Sequence, residues 1–380
     1  MEPEPQAIVI GAGAAGLSAA AMLAERGVPA LVLERDSIAS SWRRRYDRLH
    51  LHTYRLFSGL PGYRLSPTRG PWVSRDGVVD YLEGYARHHG VEVRTGVEVR
   101  TVERAAEGWR VITAGETLET PIVVVATGYE HTPVLPSWPG LDSFEGDLIH
   151  GSEYRNAAPY AGRDVLVVGT GNTGAEVVVD LDEGGAGELM LSVRTPPQIF
   201  LRSANGIPSQ FGSMMLHRLP PALGDPLSKL MQRATVGDLT PYGMPRPERG
   251  VLSDFRERDR VPILDVGLIR LLKKGRVTVV PAVEGFEGRS VLLSGGRRVE
   301  PDVVIAATGY RKGLEPLVGQ LGVLDESGAP RHSGGDEDPS APGLHFIGFL
   351  NPLSGRLWSI NSESKRIAEA VSSTRQPTPA

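Results

Sequence analysis

Two stretches of the chain share one pattern of hydrophobic and polar positions. Each starts with a short aliphatic run, passes through closely spaced glycines and enters a segment with apolar residues at helical spacing. The stretches are AIVIGAGAAGLSAAAMLAERG at 7–27 and VLVVGTGNTGAEVVVDL at 165–181. A further apolar strand follows each, ending at Glu34 and at Arg194. The pattern predicts two strand–turn–helix–strand units.

The segments between and after these units carry other patterns. Residues 91–103 and 109–113 alternate with period two, which predicts a small antiparallel excursion. PIVVVATGY at 121–129 is a continuous apolar run typical of a strand buried on both faces, and PDVVIAATGY at 301–310 repeats it. The proline-rich stretch at about 195–250 is irregular and is interpreted as a helical insertion.

The order of these elements predicts an α/β fold with two Rossmann-like dinucleotide-binding domains, the second inserted into the first. The first domain is expected to comprise residues 1–155 and 300–380, and the second residues 156–299. The two ATGY segments would mark the crossings between the domains. A chain of 380 residues also exceeds the size of one ordinary core.

Composition excludes several classes of protein. A net charge of −4 without a long basic run argues against nucleic-acid binding. The apolar residues 7–24 follow Glu2 and Glu4 rather than a basic region and are broken by glycines, so they are not interpreted as a signal peptide. No segment approaches the ~20 apolar residues of a membrane span. We therefore expect a cytoplasmic protein that acts on a small molecule, alone or as a homodimer.

The chain contains no cysteine. Structural disulfides, thiolate nucleophiles and zinc–thiolate sites are therefore excluded. No metal site is predicted.

The first glycine turn has the pattern Gly11-x-Gly13-x-x-Gly16. The first glycine permits a tight turn, the second lets the backbone approach a pyrophosphate, and the third allows the helix to lie close to the strand. Glu34 ends the next strand, where a carboxylate accepts hydrogen bonds from ribose hydroxyls and repels a 2′-phosphate. The turn fits FAD or NAD and disfavours NADP. The alternative is a purely structural glycine turn that packs within the protein and binds no nucleotide.

The second turn, Gly169-x-Gly171-x-x-Gly174, repeats the spacing. Its following strand ends in Arg194 and Thr195 instead of an acid. A guanidinium group binds a 2′-phosphate and so selects NADP, although Arg194 could also be an ordinary surface arginine. The two turns together predict a flavoprotein that holds FAD at the first and NADPH at the second.

The fate of the electrons depends on another motif. Without cysteine the disulfide reductase route is closed, which leaves a partner protein or dioxygen as the acceptor. FEGDLIHGSEYR at 144–155 resembles the flavin-containing monooxygenases, whose pattern FxGxxxHxxx plus an aromatic residue is matched by Phe144, Gly146, His150 and Tyr154. Tyrosine replaces the tryptophan usual in the Baeyer–Villiger branch. The match therefore favours the N- or S-oxygenating and YUCCA-like branches.

The resemblance to the YUCCA-like branch spans residues 5 to about 371. DRLHLHTYRLFSGLP at 47–61 is similar to the family's segment with Leu-His before the flavin, here Leu51 and His52. VPILDVG at 261–267, the second ATGY and the closing GLHFIGF and SKRIAEA also match. The active-site asparagine of the animal-type enzymes is missing from 43–61. The details of heteroatom oxygenation in those enzymes are therefore not carried over to this chain.

The resemblance implies an NADPH-dependent flavin monooxygenase. NADPH would reduce FAD, dioxygen would add at flavin C4a, and the resulting (hydro)peroxide would transfer one oxygen atom to a small organic substrate. A peroxide anion would attack a carbonyl or a 2-oxo acid such as an indole-3-pyruvate-like compound, and a hydroperoxide would oxidise an amine or sulfide. The alternative is an NADPH-dependent flavin reductase that passes electrons to a partner protein.

The candidate site residues follow from these motifs. His52 and His150 are the catalytic candidates, each with the alternative of a structural histidine satisfied by hydrogen bonds. The residues predicted to bind the cofactors are Gly11, Gly13, Ala14, Ala15, Gly16, Glu34, Arg35, Trp42, Leu51, His52, Thr127, Gly128, Gly169, Gly171, Asn172, Thr173, Gly174, Arg194, Thr195, Thr308, Gly309 and Asn351.

Overall fold

The computed structural model describes residues 5–204, 206–216 and 218–375. The strands are β1 Ala7–Ile10, β2 Ala30–Glu34, β3 Glu92–Thr95, β4 Val99–Arg104, β5 Trp109–Thr113, β6 Thr117–Thr120, β7 Val123–Val125, β8 Thr132–Pro133, β9 Asp147–His150, β10 Val165–Val168, β11 Leu189–Ser192, β12 Ile199–Leu201, β13 Ser203–Ala204, β14 Ile207–Pro208, β15 Ile263–Asp265, β16 Thr278–Val280, β17 Val283–Glu287, β18 Ser290–Leu293, β19 Arg297–Val299, β20 Val303–Ala306, β21 Tyr310–Arg311 and β22 Leu344–Phe346. The helices are α1 Ala14–Glu25, α2 Ser40–Arg43, α3 Arg75–His89, α4 Asn172–Glu183, α5 Ser209–Leu216, α6 Pro221–Thr235, α7 Val251–Arg258, α8 Leu268–Lys273, α9 Glu315–Val318 and α10 Arg356–Arg375.

The first of two compact units contains, among the described residues, 5–43, Thr53–Thr132 and 310–375. Its parallel sheet has the strand order β22-β7-β1-β2-β3, so the strand before the first glycine turn is central. Because β1 is wholly buried, its sequence Ala-Ile-Val-Ile is apolar at every position. Strands β4, β5 and β6 form a separate antiparallel sheet.

One part of the predicted antiparallel excursion is wrong. Glu92–Thr95 pairs in parallel with β2 at the edge of the main sheet, whereas β4 and β5 do pair antiparallel. An edge strand exposed on one side alternates polar and apolar residues in either kind of sheet. Periodicity therefore identified the strands without distinguishing their partners.

The second unit contains Arg44–His52 and Pro133–Gly309. Its parallel sheet has the order β16-β11-β10-β20-β9, again with the glycine-turn strand in the centre. Strands β17, β18 and β19 form an antiparallel sheet that precedes β20, as β4 to β6 precede β7. Both units thus have the same plan, and the predicted α/β class with two Rossmann-like units is confirmed.

The boundaries of the units differ from the predicted domains. Residues 133–155 and 300–309 were assigned to the first domain but pack in the second unit, because β9 and β20 are neighbours in its sheet. Residues 44–52 also pack there, although they lie between two segments of the first unit. The crossings at Thr132–Pro133 and at Gly309–Tyr310 lie at or just after the two ATGY segments.

The predicted insertion at about 195–250 contains α5 and α6 together with the short strands β12 to β14. Strand β12 is anchored by parallel pairing with β15. Both helices carry exposed apolar side chains, with Met215 at 75% and Leu230 at 64% exposure. None of the described helices combines the length and apolar character required to cross a lipid bilayer.

Candidate functional site

The first glycine turn joins β1 to α1. It is closely packed at its first and third glycines and open at its second. Gly11 has φ +108°, and a Cβ atom there would lie 2.7 Å from the carbonyl oxygen of Ala126. A Cβ atom on Gly16 would lie 1.8 Å from the carbonyl oxygen of Gly11. At Gly13 a Cβ atom would meet no described protein atom within 4 Å. The turn therefore leaves space only beside Gly13, where a ligand can approach the backbone.

Helix α1 begins at this opening without a side-chain cap among the described residues. Its first backbone N–H groups are therefore available to an anion, and the positive end of the helix dipole favours one. Ala14 and Ala15, in the first turn of the helix, are small and buried. A pyrophosphate group fits the chemistry of this opening.

Glu34 lies at the tip of β2, next to the same turn. Its side chain is buried, and it accepts hydrogen bonds from the backbone N–H groups of Ala12 at 2.8 Å and of Asp36 at 2.9 Å. These bonds, together with a longer one that the Ser40 hydroxyl donates to Oε1 at 3.4 Å, fix the carboxylate, and Oε2 retains a lone pair for a ribose hydroxyl. The structure thus joins Glu34 to the glycine turn, as predicted from the sequence.

Thr127 and Gly128 follow β7 and lie against the same turn. The Cα atom of Thr127 would be 3.5 Å from a Cβ atom on Gly11. The Thr127 hydroxyl is buried, and no described residue offers it a hydrogen-bond partner. Because an unsatisfied buried hydroxyl costs free energy, it points to an acceptor or donor on a bound ligand.

The second turn repeats the geometry of the first. Gly169 has φ +115°, and a Cβ atom there would lie 2.4 Å from the carbonyl oxygen of Ala307. A Cβ atom on Gly174 would lie 2.1 Å from the carbonyl oxygen of Gly169, whereas Gly171 faces open space. Helix α4 also begins without a side-chain cap in the described structure. The second unit therefore has a second uncapped helix terminus, whose chemistry suits an anion.

The residues around the second turn differ from those around the first. Arg194 is exposed two residues beyond β11, in the region where the first unit places a fixed carboxylate. The Thr308 hydroxyl donates to the carbonyl oxygen of Val134 at 2.5 Å, so it is satisfied within the protein, unlike Thr127. The hydroxyl of Thr170 donates to the carbonyl oxygen of Thr195 at 3.4 Å, which ties the turn to the end of the next strand.

Asn172, at the start of α4, is engaged with the chain after the insertion. Its Oδ1 accepts from the backbone N–H of Leu264 at 2.8 Å, and its Nδ2 donates to the carbonyl oxygen of Pro262 at 3.3 Å. Thr173 packs close to Gly151. The side chain of Asn172 thus fixes the start of the helix, and the backbone there is the part that faces a ligand.

The FxGxxxHxxxY motif lies in the second unit and has a structural explanation. The ring of Phe144 packs edge-on against Phe286 with centroids 5.0 Å apart. Gly146 lies under that ring, since a Cβ atom there would be 2.6 Å from Phe144 Cζ. Tyr154 is fully buried and donates to Asp180 Oδ2 on α4 at 2.6 Å. Burial, followed by this carboxylate, raises the pKa of Tyr154 far above its ordinary value.

His150 of the same motif is held by backbone groups and by the Ser152 hydroxyl, whose oxygen lies 2.9 Å from Nδ1. The N–H of Ser152 donates to Nδ1 at 3.0 Å, so the proton is on Nε2, which donates to the carbonyl oxygen of Gly309 at 3.2 Å. Burial lowers the pKa of His150, although the bond to Gly309 and the charge of Glu153 oppose the change. The imidazole is therefore neutral at pH 7 and joins the motif to the second ATGY turn. This geometry supports the structural alternative, and catalysis by His150 stays a prediction.

Comparisons with known proteins agree with this geometry. The family model described as pyridine nucleotide-disulphide oxidoreductase matches residues 8–198. Indole-3-pyruvate monooxygenase YUCCA1 of Oryza sativa subsp. japonica is 40% identical over 327 residues, which cover 84% of this chain and 80% of the relative. The chain belongs to the YUCCA-like flavin monooxygenase family. It is an NADPH-dependent flavin monooxygenase, with FAD and NADPH as its cofactors.

Solved structures show that the fold alone is not decisive. A flavin-containing monooxygenase from Stenotrophomonas maltophilia aligns with TM-score 0.74 and 22% identity, covering 97% of this enzyme and 98% of that chain. A bacillithiol disulfide reductase from Staphylococcus aureus aligns with TM-score 0.72 and 16% identity, covering 98% and 99%. Both are similar in fold. No finding favours the alternative of a reductase that serves a partner protein.

The residues present fit both cofactors. In the first unit the fit rests on the opening at Gly13, the uncapped α1 terminus and the unpartnered Thr127 hydroxyl. In the second unit it rests on the matching opening at Gly171 and the uncapped α4 terminus. Two dinucleotides need two such cradles, and the enzyme has both.

His52 lies in a buried polar cluster that the sequence did not reveal. Its Nε2 hydrogen-bonds Oε1 of Glu176 on α4, and the hydroxyl of Tyr46 donates to Oε2 of the same carboxylate at 2.9 Å. Glu176 is 4% exposed. Burial opposes ionisation, but the hydrogen bonds from His52 and Tyr46 and the charge of Arg202 lower the pKa of Glu176 below its ordinary value. The carboxylate is therefore an anion.

This cluster changes the interpretation of the Leu-His segment. Leu51 and His52 were predicted at the flavin, yet both pack within the second unit, with Leu51 buried. Arg48 in the same segment forms ion pairs with Asp180 at 3.5 Å and Glu183 at 2.9 Å. Glu176, Asp180 and Glu183 are spaced i, i+4 and i+7, so one face of α4 holds the segment. Contact of Leu51 and His52 with a cofactor stays a prediction.

The other predicted residues lie in the first unit. Arg35 follows Glu34 and its Nη1 is 3.3 Å from Nε2 of His131, and Trp42 lies half-buried in α2. Asn351 precedes α10 and its Oδ1 accepts from Nη2 of Arg356 at 3.3 Å. The structure shows no cradle formed by these three side chains. Their part in cofactor binding stays a prediction.

Proposed function

We propose that this monooxygenase acts on a 2-oxo acid and converts it to the carboxylic acid one carbon shorter. The observation that carries the proposal is the 40% identity, over 84% of the chain, to a relative named as an indole-3-pyruvate monooxygenase. A further relative from the same organism, also named as an indole-3-pyruvate monooxygenase, is 38% identical over 97% of the chain. A compound of the indole-3-pyruvate type is therefore the first substrate to test.

The proposed reaction balances with the cofactors of the family. A 2-oxo acid, dioxygen, NADPH and one proton give the shortened acid, carbon dioxide, water and NADP⁺. The bond between the oxo carbon and the carboxylate breaks, and one oxygen atom of dioxygen enters the new carboxylate. The other oxygen atom leaves as water with two electrons from NADPH.

We assign FAD to the first unit. The uncapped N-terminus of α1 would bind the pyrophosphate, and Glu34 would accept the hydroxyls of the adenosine ribose. The unpartnered hydroxyl of Thr127 would bond the cofactor. When bound, the flavin supplies the redox chemistry that activates dioxygen. The task of these residues is to fix its position.

We assign NADPH to the second unit. The N-terminus of α4 would bind its pyrophosphate, and Arg194 would bind the 2′-phosphate. Arg194 is exposed, which leaves its guanidinium group accessible to a nucleotide. A carboxylate fixed in the position of Glu34 would repel that phosphate.

His52 remains the candidate for proton transfer. Glu176 accepts from its Nε2, so the carboxylate orients the ring and Nδ1 is the nitrogen left to give or take a proton. An imidazole oriented by a buried carboxylate is a common arrangement for acid–base chemistry. The tests of this role are His52→Gln and its effect on the pH profile of product formation.

Product analysis with labelled oxygen tests the proposed function. The purified enzyme would be supplied with NADPH, ¹⁸O₂ and indole-3-pyruvate, with phenylpyruvate, an amine and a sulfide in parallel. We expect indole-3-acetate carrying one ¹⁸O atom, with carbon dioxide and NADP⁺ in equal amounts. If labelled amine or sulfide oxides formed and the shortened acid did not, the substrate would be an amine or a sulfide instead of a 2-oxo acid. Hydrogen peroxide as the sole product from every compound would refute the proposal.

A further inference from the structure

Two cations lie over one aromatic ring in the first unit. The guanidinium carbon of Arg356 is 4.7 Å from the ring centroid of Tyr129, and Nζ of Lys312 is 4.8 Å from the same centroid. The two charges are therefore within ~10 Å of each other, about one Debye length at 0.1 M salt. Each cationic group is attracted by the quadrupole of the ring, but the two positive charges repel each other.

The charges of this cluster are not balanced by close ion pairs. Nη2 of Arg356 lies 3.4 Å from Glu130 Oε1 and 3.3 Å from Asn351 Oδ1, both longer than the ~2.7–2.9 Å of a charge-assisted bond. Among the described residues, no carboxylate lies within 4.0 Å of Nζ of Lys312. Glu130 is thus a loose partner of Arg356, and Lys312 interacts with the Asp325 carboxylate only beyond ion-pair distance.

Arg356 also has an unused donor. Its Nε atom is buried, and no described residue accepts a hydrogen bond from it. Nε–H and one terminal N–H of a guanidinium group form a planar fork that matches the two oxygens of a carboxylate. An unpaired buried donor costs free energy unless a ligand supplies the acceptor.

The position of the cluster is the ligand-binding edge of the sheet. Tyr129 follows Thr127 and Gly128 at the carboxyl end of β7, and Arg356 begins the 20-residue helix α10. Ligands of open parallel sheets bind beyond the carboxyl ends of the strands. The dipole at the start of α10 adds to the positive potential of the two side chains.

We propose that Arg356 and Lys312, placed by Tyr129, form the subsite for the carboxylate of the substrate. This inference rests on the proposed function and makes it more specific, since it names the residues that would select an acid over a neutral carbonyl compound. Arg356 would bind the carboxylate with its fork, and Lys312 would contribute a second charge. Pairing with an anion relieves the repulsion between the two cations and satisfies the buried Nε donor.

Equilibrium binding without turnover tests the subsite. The FAD-loaded protein would be titrated with indole-3-acetate and with indole-3-acetamide, which differ in charge but hardly in size, and binding would be followed by flavin absorbance. We expect Lys312→Met and Arg356→Lys each to raise the Kd for the acetate about tenfold or more. The Kd for the acetamide should change by less than about twofold, because it makes no charge-assisted bond.

The matched control is Arg311→Met, which removes the same charge from the exposed neighbouring position. We expect the Kd for the acetate to change by less than about twofold in this variant. An equal effect of Arg311→Met would show that a general field, and no specific subsite, selects the acid. Equal losses for the acetate and the acetamide would also overturn the proposal.

Three further outcomes distinguish the failure of this inference from the failure of the proposed function. If Lys312→Met and Arg356→Lys lost FAD, the cations would hold the cofactor and the subsite would be refuted. If the enzyme failed to oxygenate any 2-oxo acid while the variants still lost acetate binding, the proposed function would fail and the subsite would stand. If the enzyme oxygenated 2-oxo acids and both variants bound acetate as before, the proposed function would stand and the subsite would fail.

Discussion

The two glycine turns allow a matched pair of substitutions. Gly13→Ala and Gly171→Ala each add one methyl group at the open position of a turn, where no described protein atom lies within 4 Å. Both glycines have extended backbone, with φ −83° and ψ −173° at Gly13 and φ −90° and ψ −178° at Gly171. Alanine adopts this conformation, so both variants should fold.

The expected magnitudes follow from the geometry. Lower chain entropy in the unfolded state and the poorer capping preference of alanine nearly cancel, so stability should change by less than about 1 kcal/mol. The methyl group extends ~1.5 Å into the space that a phosphate must approach. Loss of two charge-assisted hydrogen bonds from the backbone costs about 3 kcal/mol at the low end, or more than ~100-fold in affinity.

Two assays report the two sites separately. The FAD content of purified protein, with titration of the stripped protein by FAD, reports the first turn. Stopped-flow reduction of bound FAD by NADPH reports the second. We expect Gly13→Ala to lose FAD, and Gly171→Ala to keep FAD but require more than ~100-fold higher NADPH for reduction. Thermal unfolding of the FAD-stripped variants that matches the FAD-stripped parent would show that neither effect comes from misfolding.

Either of two results would refute the assignment of the cofactors to the two turns. If Gly171→Ala lost FAD while Gly13→Ala kept it, the assignment of cofactors to units would be reversed. If both variants bound both cofactors normally, the openings at these glycines would not be the phosphate cradles. Gly16→Ala serves as the opposite control, because its methyl group would lie 1.8 Å from the carbonyl oxygen of Gly11 and should prevent folding.

Three further predictions concern single side chains. Arg194→Ala should raise KM for NADPH about 10- to 100-fold and leave KM for NADH unchanged; equal effects in steady-state kinetics would exclude a 2′-phosphate contact. Thr127→Val should weaken FAD binding in a titration, whereas Thr308→Val should keep FAD but lose about 1 kcal/mol of stability with the bond to Val134. Glu176→Gln should cost about 2 kcal/mol at pH 7. Because the pKa of Glu176 is lowered on folding, its contribution is present above the ordinary value of 4.5 and disappears as pH falls through the folded value. Urea unfolding across pH should therefore show the two proteins converging in acid, and a constant gap would contradict this assignment.

Much of the fold could be predicted because the patterns that encode it are local. A central parallel strand is buried on both faces and is therefore apolar at every position, as in β1 and β10. A turn that takes phosphate needs glycine at fixed spacing, so Gly11 to Gly16 and Gly169 to Gly174 were visible in one pass. Glu34 and Arg194 could be identified in the same way, because each lies at the end of the strand that follows a glycine turn. These features depend on residues that are near each other in the chain.

Other features depended on partners that are distant in sequence. Alternation identified Glu92–Thr95 as a strand but could not show that it pairs in parallel with β2, because strand partners are chosen by the whole sheet. The second ATGY strand was assigned to the wrong unit because a buried strand looks the same in either sheet. Hydrogen bonding to β9 and β10 decided its place.

The side-chain clusters show the same division. The sequence determined two glycine turns, one followed by Glu34 and the other by Arg194, and the absence of cysteine, because each is a property of residue type and local spacing. Only the tertiary structure placed His52 on Glu176, 124 residues away, and Arg356 and Lys312 on Tyr129. Such contacts form when separate segments pack together, and no short stretch of sequence contains both members of the pair.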